Sequence, residues 1–91
     1  MYTTMNNLNG WNLIFEEKSL PKRAIIQISP EKKFKEAINL YKIQSNNTTS
    51  SEDLKFIFNG SVLFPELVIA HSGLDDNSMI TVLNVTNLRG G

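Results

Sequence analysis

The sequence predicts a two-layer α+β domain in which a single helix covers one face of one mixed β-sheet. Three observations support this prediction. Several apolar stretches alternate as strands do, one segment has helical spacing, and 41% of the 91 residues are hydrophobic. A chain of this length forms one domain, and this apolar content is enough for one core.

The first two strands are predicted before the helix. The stretches WNLIFEE (residues 11–17) and RAIIQIS (residues 23–29) show the alternation of partly buried strands. Between them, KSLPK contains a proline and two lysines and is typical of a turn. Two strands joined by so short a turn are expected to pair as a hairpin, with Trp11 at the edge of the core.

The helix is predicted to begin at Ser29-Pro30-Glu31 and to end near Gln44. Ser29 can cap free amides, Pro30 suits the first helical position, and Glu31 complements the positive end of the helix dipole. Apolar residues then recur with helical spacing as one stripe: Phe34, Ala37, Ile38 and Tyr41. The polar segment that follows (residues 45–53) is expected to be a mobile loop.

Three further elements are predicted after this loop. LKFIF (residues 54–58) is a strand that ends at the hairpin signal Asn59-Gly60, and SVLF (residues 61–64) is a short partner strand stopped by Pro65. A short helical turn is expected around residues 66–70. MITVLNV (residues 79–85) is the last strand. Ile80 and Val82 are expected to face the core, and Thr81 and Leu83 to face outward.

Composition excludes several functional classes. Nine basic residues balance nine acidic ones, which argues against binding nucleic acid or a membrane surface by bulk charge. The chain has no cysteine, so it has no disulfide, thiolate metal site or cysteine nucleophile. The polar start of the chain lacks the apolar core of a secretory signal, and we expect a cytosolic or nuclear protein.

No set of residues predicts an enzyme or a metal site. His71 is the only histidine and lacks neighbours with ligand spacing, so a surface histidine is expected. Asp75 and Asp76 lie beside Gly73 and Asn77 and are interpreted as turn residues and not as paired catalytic carboxylates. The sequence contains no phosphate-binding glycine loop and no nucleophile motif.

The element order and the ending LRGG resemble ubiquitin and its relatives, the β-grasp modifiers. The segments LKFIFNGSVL (residues 54–63) and SMITVL (residues 78–83) are similar to ubiquitin's third strand with its turn and to its final strand. The resemblance implies an α+β β-grasp fold, with a mixed four- to five-stranded sheet and one helix packed on one face. It also implies a domain over residues 11–85 and a flexible conjugation tail over residues 86–91. Residues 1–10 lack any useful periodicity and are expected to form a flexible N-terminal extension.

The tail is the most specific part of the resemblance. A Gly-Gly ending arises by chance in about one chain in two hundred if glycine is about 7% of residues, and a preceding Leu-Arg makes it rarer. Two alternative origins of the tail stay open. It could be the end of an excised fragment, or one repeat of an RGG-type RNA-binding segment, for which a single RGG is a weak signal.

The resemblance implies a role for each tail residue. An activating enzyme would use ATP to adenylate the carboxylate of Gly91. The activated carboxyl group would then pass to enzyme cysteines as a thioester, and a ligation step would deliver it to a lysine amine of a target. Gly90 would allow close approach in an enzyme channel, Arg89 would pair with acids on processing and conjugating enzymes, and Leu88 would enter an apolar slot. Asn87 stands where ubiquitin has arginine, which argues against ubiquitin's own activating enzyme.

The chain would therefore be a monomeric substrate of catalysis, with no cofactor of its own.

Ubiquitin is also bound through an apolar patch on its sheet. The resemblance places Ile57, Leu83, Thr81 and Leu20 at the corresponding positions. The alternative is that Ile57 and Leu83 are scattered surface residues, which are normal.

Two other functions remain open. The chain could be a ubiquitin-like interaction domain of a longer protein, which binds partners without covalent attachment. It could also be a sulfur carrier, since such proteins share the β-grasp fold and end in Gly-Gly. The Leu-Arg before the two glycines favours the modifier.

Overall fold

A computed structural model describes residues 10–18 and 22–85 of the chain. Six regular elements follow one another in the predicted order. They are β1 (Trp11–Glu17), β2 (Lys22–Ile28), α1 (Phe34–Ser45), β3 (Leu54–Phe58), β4 (Ser61–Val62) and β5 (Met79–Asn84). Two short 3-10 turns, Ser51–Asp53 and Ile69–His71, complete the described part.

The strands form one five-stranded mixed sheet in the order β2-β1-β5-β3-β4. The hairpins β1–β2 and β3–β4 are antiparallel, and β5 lies between them, parallel to β1 and antiparallel to β3. The single helix covers one face, so the predicted α+β architecture is confirmed. The chain passes from one hairpin to the other through α1, and β5 then lies between the hairpins, next to β1.

The core lies between α1 and the sheet. The predicted helical stripe is buried, and Ile80 and Val82 of β5 also face the core as predicted. Four aromatic rings form its centre, with Phe15 stacked on Tyr41 at a centroid distance of 4.9 Å and Phe34 edge-on to Phe56 at 5.5 Å. Such pairs each add about 0.5–1.5 kcal/mol to what burial of the rings contributes.

The helix begins later than the sequence predicted. α1 starts at Phe34, and Ser29 does not cap it. The Ser29 hydroxyl instead accepts a 3.4 Å bond from the amide of Glu31, in a turn before the helix. The reason is long-range: the first helical amides, of Phe34 and Lys35, donate to carbonyls of the loop that follows β4, at 2.7 and 2.9 Å. This loop does the capping that the sequence assigned to a side chain.

The end of the helix lies close to the predicted position. Asn46 adopts the left-handed conformation, with φ of 57°, and the amide of Asn47 donates to the carbonyl of Lys42 at 3.0 Å. This is the geometry in which helices commonly stop. The polar loop that follows contains the first 3-10 turn, where the Glu52 amide donates to the Ser50 hydroxyl at 3.3 Å.

The Asn59-Gly60 hairpin is confirmed. Both residues have positive φ, 53° and 79°, as a two-residue turn of this kind requires. β4 is shorter than predicted, because only Ser61 and Val62 keep strand geometry. The helical turn predicted around residues 66–70 is a 3-10 turn shifted toward His71.

Candidate functional site

The structure describes only part of the predicted site. The tail residues Asn87, Leu88, Arg89, Gly90 and Gly91 lie outside the described residues, as does Leu20 of the predicted patch. The described part ends at Val85, whose amide donates to the carbonyl of Asp53 at 2.8 Å, just after β5. The remaining predicted residues are all on the sheet.

Three predicted patch residues lie together on the sheet face opposite α1. Ile57 of β3 is directly opposite Thr81 of β5, and Leu83 follows two residues later on the same face. Opposed residues of paired strands have Cβ atoms about 4.5–5.5 Å apart, so these side chains are neighbours. All three are half-buried. The structure thus brings together Ile57, Thr81 and Leu83.

Val62 joins this group, although the sequence reasoning did not include it. It is directly opposite Ile57 across the β3–β4 hairpin, and its side chain is 39% exposed. The signal was present in the sequence. A two-residue Asn-Gly loop fixes the hairpin register, and that register pairs Phe58 with Ser61 and hence Ile57 with Val62.

The apolar surface continues across the rest of the sheet. Met79 lies two residues before Thr81, diagonal to Ile57, and it is opposite Ile14 of β1. Ile14 is in turn opposite Ile25 of β2. We call these five residues, one from each strand, the outer band: Ile25, Ile14, Met79, Ile57 and Val62. Ile25 and Met79 are 56% and 40% exposed.

A row of polar and charged residues borders the outer band on one side. Glu16 and Arg23 form a 3.4 Å ion pair, which is exposed and therefore adds little to stability. Lys55 is directly opposite Leu83. Lys18, whose amide donates to the carbonyl of Val82 at 3.0 Å, follows β1 on the other side of β5. Leu83 therefore lies between Lys55 of β3 and the end of β1, which Lys18 follows.

The remaining candidate residues have structural roles. Asp76 accepts a 2.7 Å hydrogen bond from the amide of Asn12, and Asp75 belongs to the same turn, as the sequence indicated. His71 is exposed. Within residues 10–18 and 22–85, no three histidine or acidic side chains are grouped so as to hold a metal ion.

Membrane insertion of a helix is not indicated in the part of the chain that the structure describes, because none of its helices has the length and apolar character to span a bilayer.

Comparisons with known proteins identify the fold. No family profile and no curated protein sequence matches the chain. Solved structures match well. A structure described as a molecular mimic of SUMO that promotes DNA repair has a TM-score of 0.72 at 16% identity, covering 81% of this chain and 90% of that one.

Two further structures give the same result. A protein designed de novo on the basis of ubiquitin has a TM-score of 0.74 at 14% identity and covers 87% of this chain and 93% of its own. The UBL domain of Plasmodium falciparum Dsk2 has a TM-score of 0.69 at 16% identity, covering 82% of this chain and 97% of that domain. With its five-stranded mixed sheet and single helix, the chain has the ubiquitin-like β-grasp fold.

Proposed function

We propose that this chain is a ubiquitin-like protein modifier, activated at the carboxylate of Gly91 and conjugated to amines of target proteins. The observation that carries the proposal is the sequence Leu88-Arg89-Gly90-Gly91 two residues after a domain with the ubiquitin-like fold. The fold alone does not carry it, because the UBL domain of Dsk2 has the same fold.

The position of the tail supports this chemistry. β5 ends at Asn84, and six residues follow Val85 in the sequence. Fully extended, six residues span at most about 20 Å, a reach that would carry a terminal carboxylate into an enzyme channel. Gly90 and Gly91 have no Cβ atoms, so they fit where the walls of such a channel come close to the reacting carbon.

The partners supply the reactive groups. The chain has no cysteine, so the thiols that carry Gly91 as a thioester belong to activating and conjugating enzymes, and ATP is consumed by the activating enzyme. Arg89 offers a charged, bidentate contact to acids on those enzymes. The chain is a substrate in this scheme and not an enzyme, and it acts in the cytoplasm or nucleus.

The outer band gives the modifier a surface for non-covalent recognition. Thr81 and Leu83 adjoin the outer band at Ile57, and Val62 and Met79 extend its apolar area on either side of Ile57. Contiguous apolar surface with partial exposure is typical of protein interaction sites.

The test is an activation assay with ATP and an extract of the source organism, analysed on a non-reducing gel. The full chain is expected to form an adduct that a thiol reductant removes. A chain without Gly90 and Gly91 is expected to form none, while His71→Ala, at an exposed residue of the domain, still forms it. Equal adduct from the shortened chain would contradict the proposal.

A non-covalent interaction domain is the second candidate, and the outer band is the observation that favours it. In that case, removal of Gly90 and Gly91 leaves partner binding unchanged, whereas Ile57→Ser abolishes it. The absence of any adduct from a chain that NMR shows to be folded would favour this candidate. A thiocarboxylate at Gly91, detected by mass spectrometry, would instead indicate a sulfur carrier.

A further inference from the structure

The tip of the β3–β4 hairpin consists of an asparagine followed by a glycine, Asn59-Gly60. In such a pair the main-chain nitrogen of the glycine can attack the side-chain amide carbon of the asparagine, because no glycine side chain stands in the way. The product is a five-membered cyclic imide, which water opens to aspartate or isoaspartate. The reaction requires an accessible asparagine, a glycine amide without a hydrogen bond, and a turn that can bring the two together.

Both reacting groups at the hairpin tip are accessible. Asn59 and Gly60 are exposed. Among the residues that the structure describes, none forms a hydrogen bond with the Asn59 side chain or with the Gly60 amide. Apart from its chain neighbours, no heavy atom lies within 4 Å of the place that a Cβ atom of Gly60 would occupy. No other part of the fold therefore has to move before the ring can form.

The turn is one peptide flip away from the geometry that ring closure needs. Asn59 and Gly60 have φ of 53° and 79°, the signs of a type I′ turn. In a type II′ turn the first residue keeps φ near about 60°, while its ψ is about −120°. For an L residue, that ψ nearly eclipses Cβ with the next nitrogen, as a five-membered ring demands. Both turn types join two-residue hairpins, so the strands stay in place during the flip.

The other asparagines with positive φ lack this combination. Asn46 and Asn77 have φ of 57° and 70°. They are followed by Asn47 and Ser78, whose side chains hinder attack by the main-chain nitrogen. The amides of these two following residues also donate to main-chain carbonyls, at 3.0 and 3.1 Å. Of the asparagines with positive φ in the described part of the chain, Asn59 alone precedes an amide that is free to react.

Isoaspartate would change the shape of the hairpin as well as its charge. When the imide opens at the main-chain carbonyl carbon, the Cβ atom becomes part of the main chain and lengthens the turn. β4 contains only Ser61 and Val62, so its register depends on the two-residue loop. Val62, the outer-band residue opposite Ile57, would then lose its position. Either product adds a negative charge to a chain whose net charge is zero.

We propose that Asn59-Gly60 is a site of spontaneous deamidation in the folded protein, and that its isoaspartate product alters the end of the outer band. The Gly60 nitrogen forms a bond to Cγ of Asn59 while the Cγ–Nδ2 bond breaks, and ammonia leaves with the amide proton. Water then cleaves the imide at Cγ to give aspartate, or at the main-chain carbonyl carbon to give isoaspartate. This inference goes beyond the modifier function and does not depend on it.

Incubation of the full chain in neutral and mildly alkaline buffer, followed by proteolysis and mass spectrometry, tests the reaction. Asn59 is expected to convert to both acidic products, at a rate that rises with hydroxide concentration because the attacking nitrogen must lose its proton. Asn46 and Asn77 should stay intact in the same sample. The other Asn-Gly pair, Asn9-Gly10, is the chemical reference, and Asn9 lies outside the described residues. Conversion of Asn9 with an intact Asn59 would overturn the proposal.

A destabilised variant shows whether the folded protein reacts. Leu13→Ala, at a fully buried residue of β1, should increase the unfolded fraction about thirtyfold or more. A reaction within the native turn predicts the same rate of Asn59 conversion in this variant as in the wild type. An acceleration in proportion to the unfolded fraction would show that only the unfolded chain reacts, and would overturn the proposal.

A comparison with Asn59→Asp separates the charge from the change in the backbone. This variant carries the charge of the product without the additional main-chain atom. In NMR spectra of the freshly purified variant, Val62 should remain paired with Ile57, whereas the isoaspartate form should lose this pairing. An isoaspartate form in which the β3–β4 pairing is intact would contradict the predicted effect on the outer band.

Discussion

The two faces of the sheet are built from the same strands but differ in what covers them. On the inner face, Phe15 and Phe56 are 0% and 3% exposed under the helix. On the outer face, their sequence neighbours Ile14 and Ile57 are half-buried, and no helix or strand within residues 10–18 and 22–85 covers them. Both faces carry apolar residues, so hydrophobicity alone does not distinguish the core from the surface here.

The difference shows which residues stability requires. The inner residues stack on one another and on α1, and their removal leaves a cavity. Among the elements that the structure describes, none packs over the outer residues, so their truncation is expected to leave no enclosed cavity. An apolar outer face that the fold does not require is available for partners.

The largest difference in folding stability is expected between substitutions of two adjacent residues that lie on opposite faces of the sheet. Phe15→Ala should reduce the free energy of unfolding by about 3–5 kcal/mol, because it removes the ring at the centre of the aromatic cluster. Ile14→Ala should cost less than about 1 kcal/mol, as most surface substitutions do. Chemical denaturation of both variants measures the two values, and equal values would remove the distinction between the faces.

A smaller, pH-dependent change in folding stability is expected from Tyr41, the helix residue that packs on Phe15 of the inner face. Burial raises the pKa of the Tyr41 hydroxyl above its usual 10.0; the Asn47 hydrogen bond opposes the rise and the nearby Glu17 carboxylate adds to it. Above pH 10 the unfolded chain loses this proton more readily than the folded one, so the native state loses stability as pH rises.

Tyr41→Phe keeps the ring and removes the titrating group. The stability of the wild type relative to this variant should therefore be constant up to about pH 10 and fall above it. Denaturation curves between about pH 7 and about pH 11 measure the difference on both sides of the tyrosine pKa. A difference that stays constant throughout would show that burial does not perturb Tyr41.

The smallest effect is expected away from both faces, at the start of the helix. Glu66 contacts Lys33 at 2.9 Å and Lys35 at 3.4 Å. The hydrogen bond from Lys33 and its charge, and then Lys35, hold the pKa of this carboxyl below its usual 4.5. The stabilisation is present above that value and is lost as pH falls through the lowered pKa.

Glu66→Gln should therefore reduce stability slightly at neutral pH and leave it unchanged in strong acid. Lys33→Gln should produce a similar small loss, and the double variant should lose less than the sum of the two. Denaturation of the three variants at neutral and at acidic pH measures these differences. Additive losses would show that these exposed groups do not interact in solution.

Local pattern predicted most of the inner face. Alternation identified the strands, helical spacing identified the buried stripe from Phe34 to Tyr41, and Asn59-Gly60 identified a hairpin. These signals depend on neighbours in sequence. The predicted start of α1 was wrong because its capping carbonyls come from residues about thirty positions later, which no local motif at Ser29 reveals.

The outer face was less predictable for the same reason. The resemblance to ubiquitin suggested Ile57, Thr81 and Leu83, and the structure places them together. The extension through Met79 and Ile14 depends on the parallel pairing of the first and last strands, whose register is set by the whole fold. A groove of about 190 Å³ beside Phe64 likewise joins the helix, a turn and a hairpin that are distant in sequence.

The central position of the last strand has a consequence for synthesis on the ribosome. Ile14 and Phe15 find their partners on β5 only at Met79 and Ile80. A nascent chain that ends before β5 cannot complete the centre of its sheet, and contacts so distant in sequence slow folding. The domain thus completes its fold only after β5 has left the ribosome.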